Sequence, residues 1–290
     1  MTRSGRLRVV VCGPASWNHL IVLDSLPEAR PHMRFAQDAW WTVGGTSAGK
    51  ALHLHELGVD VTLVTPLGDD DDGRRVHTAL RRTGLSVLPL GADVTESHTN
   101  LMTTQGERVS VYTSAPAAPS RADTATASAL FDRADALVID LSPLGRALLP
   151  AAVATGLPLW TDLHDWDGAA DYQRPFAQAG TTVVINDDGH GDARAVMADA
   201  VAGRATSAIR TLGAAGAEVM TADGRVESVP AVACTVVDTN GAGDAFAAGA
   251  LVAQCLGGSP REQLASGAAQ AARALGSRHL SPLLDASREG

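Results

Sequence analysis

Lysine is almost absent from this chain. Of its 23 lysines and arginines, one is lysine, Lys50, and the other 22 are arginine. Such a bias reads as nucleotide composition in the source genome. A lysine that survives it inside a glycine-rich loop is a candidate for chemistry; a solvent-facing lysine left by chance is the plainer alternative. Cysteine is scarce as well. Cys12, Cys234 and Cys255 are an odd number in a long chain and show no CxxC or metal-ligand spacing. That argues against a disulfide framework and for reduced, buried thiols. Positive charge is in short supply: the net formal charge is −9, whereas a nucleic-acid reader usually presents a basic surface. The most basic stretch, RRVHTALRR (74–82), reads as the solvated face of a helix. No run approaches the ~20 apolar residues of a membrane span. The apolar run after the basic N-terminus ends at Gly13-Pro14, too soon for the core of a secretory signal. These absences point to a cytoplasmic protein with neither a nucleic-acid nor a membrane partner.

What is present suits a packed globular chain. Hydrophobic residues make up 45% of the 290 positions, enough for a sizeable core. There is no repeat, low-complexity tract or long linker, and the loosest segment, TSAPAAPSRADTATAS (113–128), reads as a surface connection. Strand-like runs recur at LRVVVCG (7–13), VDVTLVTPLG (59–68), ALVIDL (136–141), LPLWTDL (157–163), TTVVIN (181–186) and TSAIRTLG (206–213), with helical segments between most of them. This alternation implies an α/β fold, a doubly wound and mostly parallel sheet with helices on both faces. In such folds ligands gather outside the carboxyl ends of the strands. Asp162, His164, Asn186, Asp187, Asp188, Thr211 and Gly213 therefore stand out as a group, although each alone reads as a turn or cap residue.

Two glycine-rich stretches compete for a phosphate. VGGTSAGKAL (43–52) carries the spacing of a P-loop, but the Ser or Thr that would bind Mg²⁺ after the lysine is Ala51. In VVDTNGAGDAFAAGAL (236–251), a strand ending at Val237 turns through Asp238-Thr239-Asn240 into Gly241-Ala242-Gly243 and an amphipathic helix. Backbone amides turned into one concavity at a helix N-terminus make an anion hole. Asp244, in the first helical turn, is placed to take a proton from an attacking hydroxyl. An isolated GxGD would instead read as a tight turn with a carboxylate favouring the helix dipole.

Six of the seven positions 238–244 match the Asp-Thr-Thr-Gly-Ala-Gly-Asp signature of the ribokinase-like (PfkB) carbohydrate kinases, which this chain resembles; Asn240 is the departure. The resemblance runs from about residue 7 to 277. GGTSAGKALHLHELG with VTLVTPLGDDDDGRR resembles the first family signature, and WTDLH, VVIND and TLGAAGA resemble later strand ends. It implies one ribokinase-like domain over residues 1–290, with a small β-sheet lid from segments at about 14–43 and 98–112. It also implies transfer of the ATP γ-phosphoryl group to a primary hydroxyl of a sugar or nucleoside, with Mg²⁺. Phosphate binding then belongs to 241–244, and the 44–50 loop becomes an acceptor loop.

By the same resemblance Asp244 is the base, with Gly241, Ala242 and Gly243 as the anion hole. Thr211, Gly213, Gly216 and Asn186 border the nucleotide. Gly44, Gly45, Asn18, Lys50, Trp17 and Trp41 surround the acceptor, and Asp187 and Asp188 organise the metal. The departures cluster on the acceptor side. Asn18 stands where the family usually has an Asp, Gly49 where it has an Asn, His164 where it has an Asn, and Gly189 where it has a Glu. Trp17, Trp40 and Trp41 suit either stacking on a sugar or base, which motivates a nucleoside reading, or sealing a lid that pairs with a second subunit. A catalytically weak ligand-binding relative is the reading from another class. The expectation for Lys50 is that its ammonium meets the acceptor.

Overall fold

The computed structural model describes residues 5–104, 106–188 and 191–286. The chain opens with β1 (Arg8–Cys12), β2 (Ser16–Leu23), β3 (Asp38–Gly44) and α1 (Thr46–Glu56). Next come β4 (Asp60–Gly68), α2 (Asp71–Arg82), β5 (Ser86–Ala92), β6 (Glu96–Thr103) and β7 (Arg108–Ser114). Helix and strand then alternate through α3 (Arg121–Ser128), β8 (Ala136–Ile139), α4 (Pro143–Ala154) and β9 (Leu159–Asp162). They continue with α5 (Arg174–Ala179), β10 (Thr182–Asn186), α6 (Ala193–Ala202) and β11 (Ser207–Thr211). The hairpin β12 (Ala217–Thr221)–β13 (Val226–Val229) leads to α7 (Ala242–Cys255), α8 (Pro260–Leu275) and α9 (Pro282–Ala286).

Nine strands form the main sheet in the order β13-β12-β11-β10-β9-β8-β1-β4-β5. It is parallel from β5 to β11, and β12 and β13 are antiparallel. Successive β1 residues show why both faces must be covered. Val9 and Val11 enter one core with α1, α7 and α8 residues such as Leu52, Phe246 and Leu264. Val10 and Cys12 enter the other with Leu144 and Phe176. A strand buried on both faces reads as the unbroken apolar run seen at 9–12. The second sheet, β3-β2-β6-β7, is the lid expected from the resemblance.

Four local expectations need correction. The 113–128 segment is not all connection: α3 forms because Ser120 and Asp123 close a capping box. No strand precedes the anion hole, since 230–237 has no neighbouring strand to pair with, and Val236 and Val237 are exposed. The 14–43 lid segment is not continuous strand: β2 ends at Leu23 and ladder pairing resumes only at Asp38. Of the thiols only Cys12 is buried and Cys234 is exposed; burial pushes the Cys12 thiol pKa well up. Among the described residues no helix is long and apolar enough to cross a membrane.

Candidate active site

The polar residues singled out by sequence do converge at the carboxyl edge of the main sheet. Asp162 ends β9, and Asn186 and Thr211 end β10 and β11 as direct pairing partners; Asp140, which the sequence did not single out, joins them just after β8. Strand spacing of about 4.8 Å separates these neighbours along one cleft. Helix α7 starts at Ala242, two residues earlier than the glycine pattern suggests, with Gly241 as its N-cap in the left-handed region (φ 78°). A Cβ at Gly241 would lie 2.9 Å from the Leu280 carbonyl oxygen, so both conformation and space call for glycine. No side chain caps this helix. Of its first amides, Ala242 N–H makes only a long 3.5 Å bond to the Thr239 carbonyl oxygen, and those of Gly243 and Asp244 are left for an anion. Gly243 has open space around its Cβ position.

Asp244 is buried, and its Oδ1 accepts a hydrogen bond from Lys50 Nζ at 2.8 Å. Lys50 Nζ also lies 3.0 Å from Asp162 Oδ2 and 3.3 Å from Asp140 Oδ1. The lysine is 2% exposed, so it is not a surface residue. An ammonium has three donors, and three carboxylates surround it. The expectation that it meets the acceptor therefore gives way to an internal ion cluster. Asp140 is fixed in turn by Ser47, whose hydroxyl donates to Oδ2 at 2.7 Å. Burial depresses the Lys50 pKa, but the three carboxylates outweigh it and hold the ammonium charged well past its usual range. Burial pushes Asp244 up to about 6, against the pull of Lys50. Burial also acts on Asp162, yet His164 and Lys50 bring it down to about 2.

The lid contributes a polar face. Strand alternation puts Ser16, Asn18, Glu96, His98, Asn100 and Met102 on the side that meets the phosphate loop, where Met102 Sδ lies 3.3 Å from Asn240 Nδ2. Asn18 Oδ1 and Asn100 Oδ1 are buried there without a hydrogen-bond partner. Gly44 is required beside Asn18, because a Cβ would sit 2.0 Å from its Nδ2. Gly45 starts α1 at φ 92°. Asn240, the one departure from the seven-residue signature, accepts from Arg108 Nη1 at 2.9 Å and so ties the phosphate loop to β7.

Of the three tryptophans Trp40 alone is brought to that face: it pairs with Leu20, two residues from Asn18, and Arg278 lies over its ring. Trp17 adjoins Asn18 in sequence and so points the other way; it packs on the core and lines a cavity of about 460 Å³ with Arg74 and Arg75. Trp41 stacks on His19, centroids 4.3 Å apart and planes at 6°, and is 47% exposed.

On the nucleotide side, Gly213 (φ 54°) and Gly216 (φ 100°) shape the turn after β11. A Cβ on Gly216 would lie 2.0 Å from the Val229 carbonyl oxygen. Asp187 is committed to Arg210, which also reaches Glu218. Asp188 accepts from Asn186 Nδ2 at 3.1 Å. Gly189 lies outside the described residues. Among the described residues no three His, Cys, Asp or Glu side chains group as a metal cage. A cation carried mostly by phosphates would fit these residues, with Asn186 and Asp188 offering oxygens to it.

Sequence reasoning missed Asp140, Asn100 and Arg108. Asp140 had a signal, its place just after an apolar strand. The other two had none, because lid residues meet the cleft only through strand pairing.

A family model described as pfkB family carbohydrate kinase matches residues 179–285. An acarbose 7(IV)-phosphotransferase of Actinoplanes sp. is 34% identical over 226 residues, 76% of this chain and 75% of that protein. The structure of a microbiome-derived acarbose kinase is similar at TM-score 0.82 and 30% identity, covering 94% of both chains. A Burkholderia thailandensis nucleoside kinase in complex with inosine is similar in fold at TM-score 0.78 and 17% identity, over 95% of this chain and 93% of that one.

Proposed function

The chain belongs to the PfkB family of carbohydrate kinases, and from that premise we propose that it transfers the γ-phosphoryl group of ATP to a primary hydroxyl of a small sugar or sugar-like acceptor. The observation that carries this reading is the pairing of a buried carboxylate, Asp244, with the uncapped amides at its own helix N-terminus. The acceptor hydroxyl gives its proton to Asp244 while its oxygen attacks the γ-phosphorus. The bond from that phosphorus to the β,γ-bridging oxygen breaks, and ADP leaves. The amides of residues 242–244 meet charge on the transferring group. Mg²⁺ bound with ATP supplies neutralising charge on the phosphate oxygens.

A sugar fits the lid better than a nucleoside. The face over the cleft offers Asn18, Asn100, Glu96 and His98, all capable of hydrogen bonds to hydroxyls; of the three tryptophans that motivated a nucleoside, Trp17 and Trp41 lie elsewhere and the ring of Trp40 is covered by Arg278. Acarbose, named in two similar proteins, is the first acceptor to assay, followed by simple sugars and nucleosides. Turnover with a sugar and none with nucleosides is the expected result, and excess EDTA should abolish it. No ATP-dependent phosphorylation of any of these acceptors, or full turnover in EDTA, would remove the reading. The outer face of the lid carries the exposed Trp41, Val109 and Val111, an apolar surface suited to pairing of two lids in a homodimer.

The pH dependence follows from Asp244. A general base must be deprotonated, and burial raises this one to about 6. Turnover should therefore climb as pH rises through about 6 and level off above it. A kcat profile flat from pH 5 to 8 would detach Asp244 from the rate.

A further inference from the structure

We propose that Lys50 is the positioning residue for the catalytic base: its buried ammonium, braced by Asp140 and Asp162, holds Oδ1 of Asp244 and leaves Oδ2 over Gly49 for the acceptor hydroxyl. This rests on the kinase reading of Asp244 and adds a part that the family signature does not contain.

The geometry is one-sided. Lys50 Nζ sits 2.8 Å from Asp244 Oδ1, while the place where a Cβ of Gly49 would stand is 2.5 Å from Oδ2. The two neighbours on α1 thus act on the two oxygens of one carboxylate. Gly49 provides room for it, and Lys50 fixes its rotation. The brace comes from three other elements: Asp140 beyond β8, Asp162 at the end of β9 with His164 3.4 Å from its Oδ1, and α7 itself. On α1, one turn on, His53 faces Leu280, Gln270 and Glu56 rather than this cluster.

Stability alone does not account for the arrangement. Three carboxylates and one ammonium leave the buried cluster at a net −2, and buried ion pairs are often matched or bettered by apolar residues of similar volume. The identity of the cation fits a compact point charge better than arginine's planar fork. In a chain that otherwise uses arginine throughout, that is a specific demand.

The test is steady-state kinetics on Lys50→Met and on Lys50→Met combined with Asp140→Asn. The single variant leaves three buried carboxylates without a cation and can fail to fold; the double variant restores the net −2 of the native cluster. In the double variant kcat should fall about 10²-fold, the cost of a misplaced reacting group, with both KM values within about threefold. Loss of the ammonium raises the pKa of the Asp244 carboxyl by more than loss of the Asp140 charge lowers it, so the acid limb of kcat should still move to higher pH. Methylammonium should restore part of the turnover of Lys50→Ala in a saturable way. An acceptor KM raised with kcat kept would show direct contact with the acceptor and overturn the proposal. An unmoved acid limb with native kcat would do the same. If the unaltered protein phosphorylates no acceptor, the kinase reading fails first, and that outcome is distinct from either.

Discussion

Asp244→Asn should lower kcat by at least about 10²-fold, the usual scale for losing a general base, while binding of ATP stays near normal. The amide keeps the size and most of the hydrogen bonding of the carboxylate but cannot take the acceptor proton. It also stays at the N-terminus of α7, so the amides that receive phosphate are unmoved. Stability should change in the other direction. Burial raises the folded pKa of Asp244 from 3.8 to about 6, which means the fold disfavours its charged form. The resulting destabilisation is absent below the unfolded pKa near 4, develops between about pH 4 and 6, and is complete above. The Asn variant should therefore melt at or above the parent temperature at pH 8 and match it near pH 4. Normal turnover would remove Asp244 from the mechanism. A variant that melts lower at pH 8 than the parent would show that the Lys50 contact outweighs burial.

The main sheet and the bare, glycine-led start of α7 were legible because both depend on local pattern. Unbroken β-branched runs such as VVVC and TVVIN mark strands buried on both faces, and DTNGAGD encodes a turn, a bare helix start and an acid within one stretch. Thr211, Gly213, Gly216 and Asn186 came with them, since the ends of adjacent parallel strands fall together whatever the side chains do. The acceptor end was much less legible. Its residues arrive from four lid strands, and which of them face the cleft depends on registers such as Asn18↔His98 and Asn18↔Thr42. Period-two alternation within AWWTV and SWNH puts Trp40 on the face of Asn18 and Trp17 and Trp41 on the other. Asp187 misled for a different reason. Its place after a strand fits a metal ligand, but Arg210 on the next strand takes it first, and Arg210 is itself balanced by Glu218 on β12, which pairs directly with it.

Lys50 was recognised as unusual but sent to the wrong partner. The sequence shows a lysine and three distant acids, at 140, 162 and 244, with nothing to say they meet. Three strand and helix ends converge on α1 only once the sheet order β9-β8-β1 is known. The direction of the error follows a general rule: a lone cation in a glycine-rich loop suggests a ligand, yet a buried one must first be neutralised by the protein itself.

Gly49→Ala should lower turnover by about 10-fold to 10²-fold, through displacement of the base, although alanine is the better helix former by ~1 kcal/mol. A Cβ at 49 would meet Asp244 Oδ2 at 2.5 Å and its Cβ and Cγ at 2.9 Å. Those atoms have little freedom, because Oδ1 is held by Lys50 and the Asp244 backbone is helical. Relief must come from swinging the carboxylate off Lys50 or from moving α1 away from α7. The second route disturbs Ala48, Ala51 and Leu52, each fully buried, and overpacking of this kind costs ~1–3 kcal/mol. The clash and the propensity gain thus have opposite signs and similar size, so a single melting temperature decides little. A double-mutant cycle separates them. In an Asp244→Gly background the three nearest obstructing atoms are gone, and Gly49→Ala should then raise the melting temperature by the propensity term. In the parent it should lower it, or raise it by clearly less. Equal shifts in both backgrounds would show that α1 and α7 already leave space for a side chain, and that Gly49 has no part in setting the base.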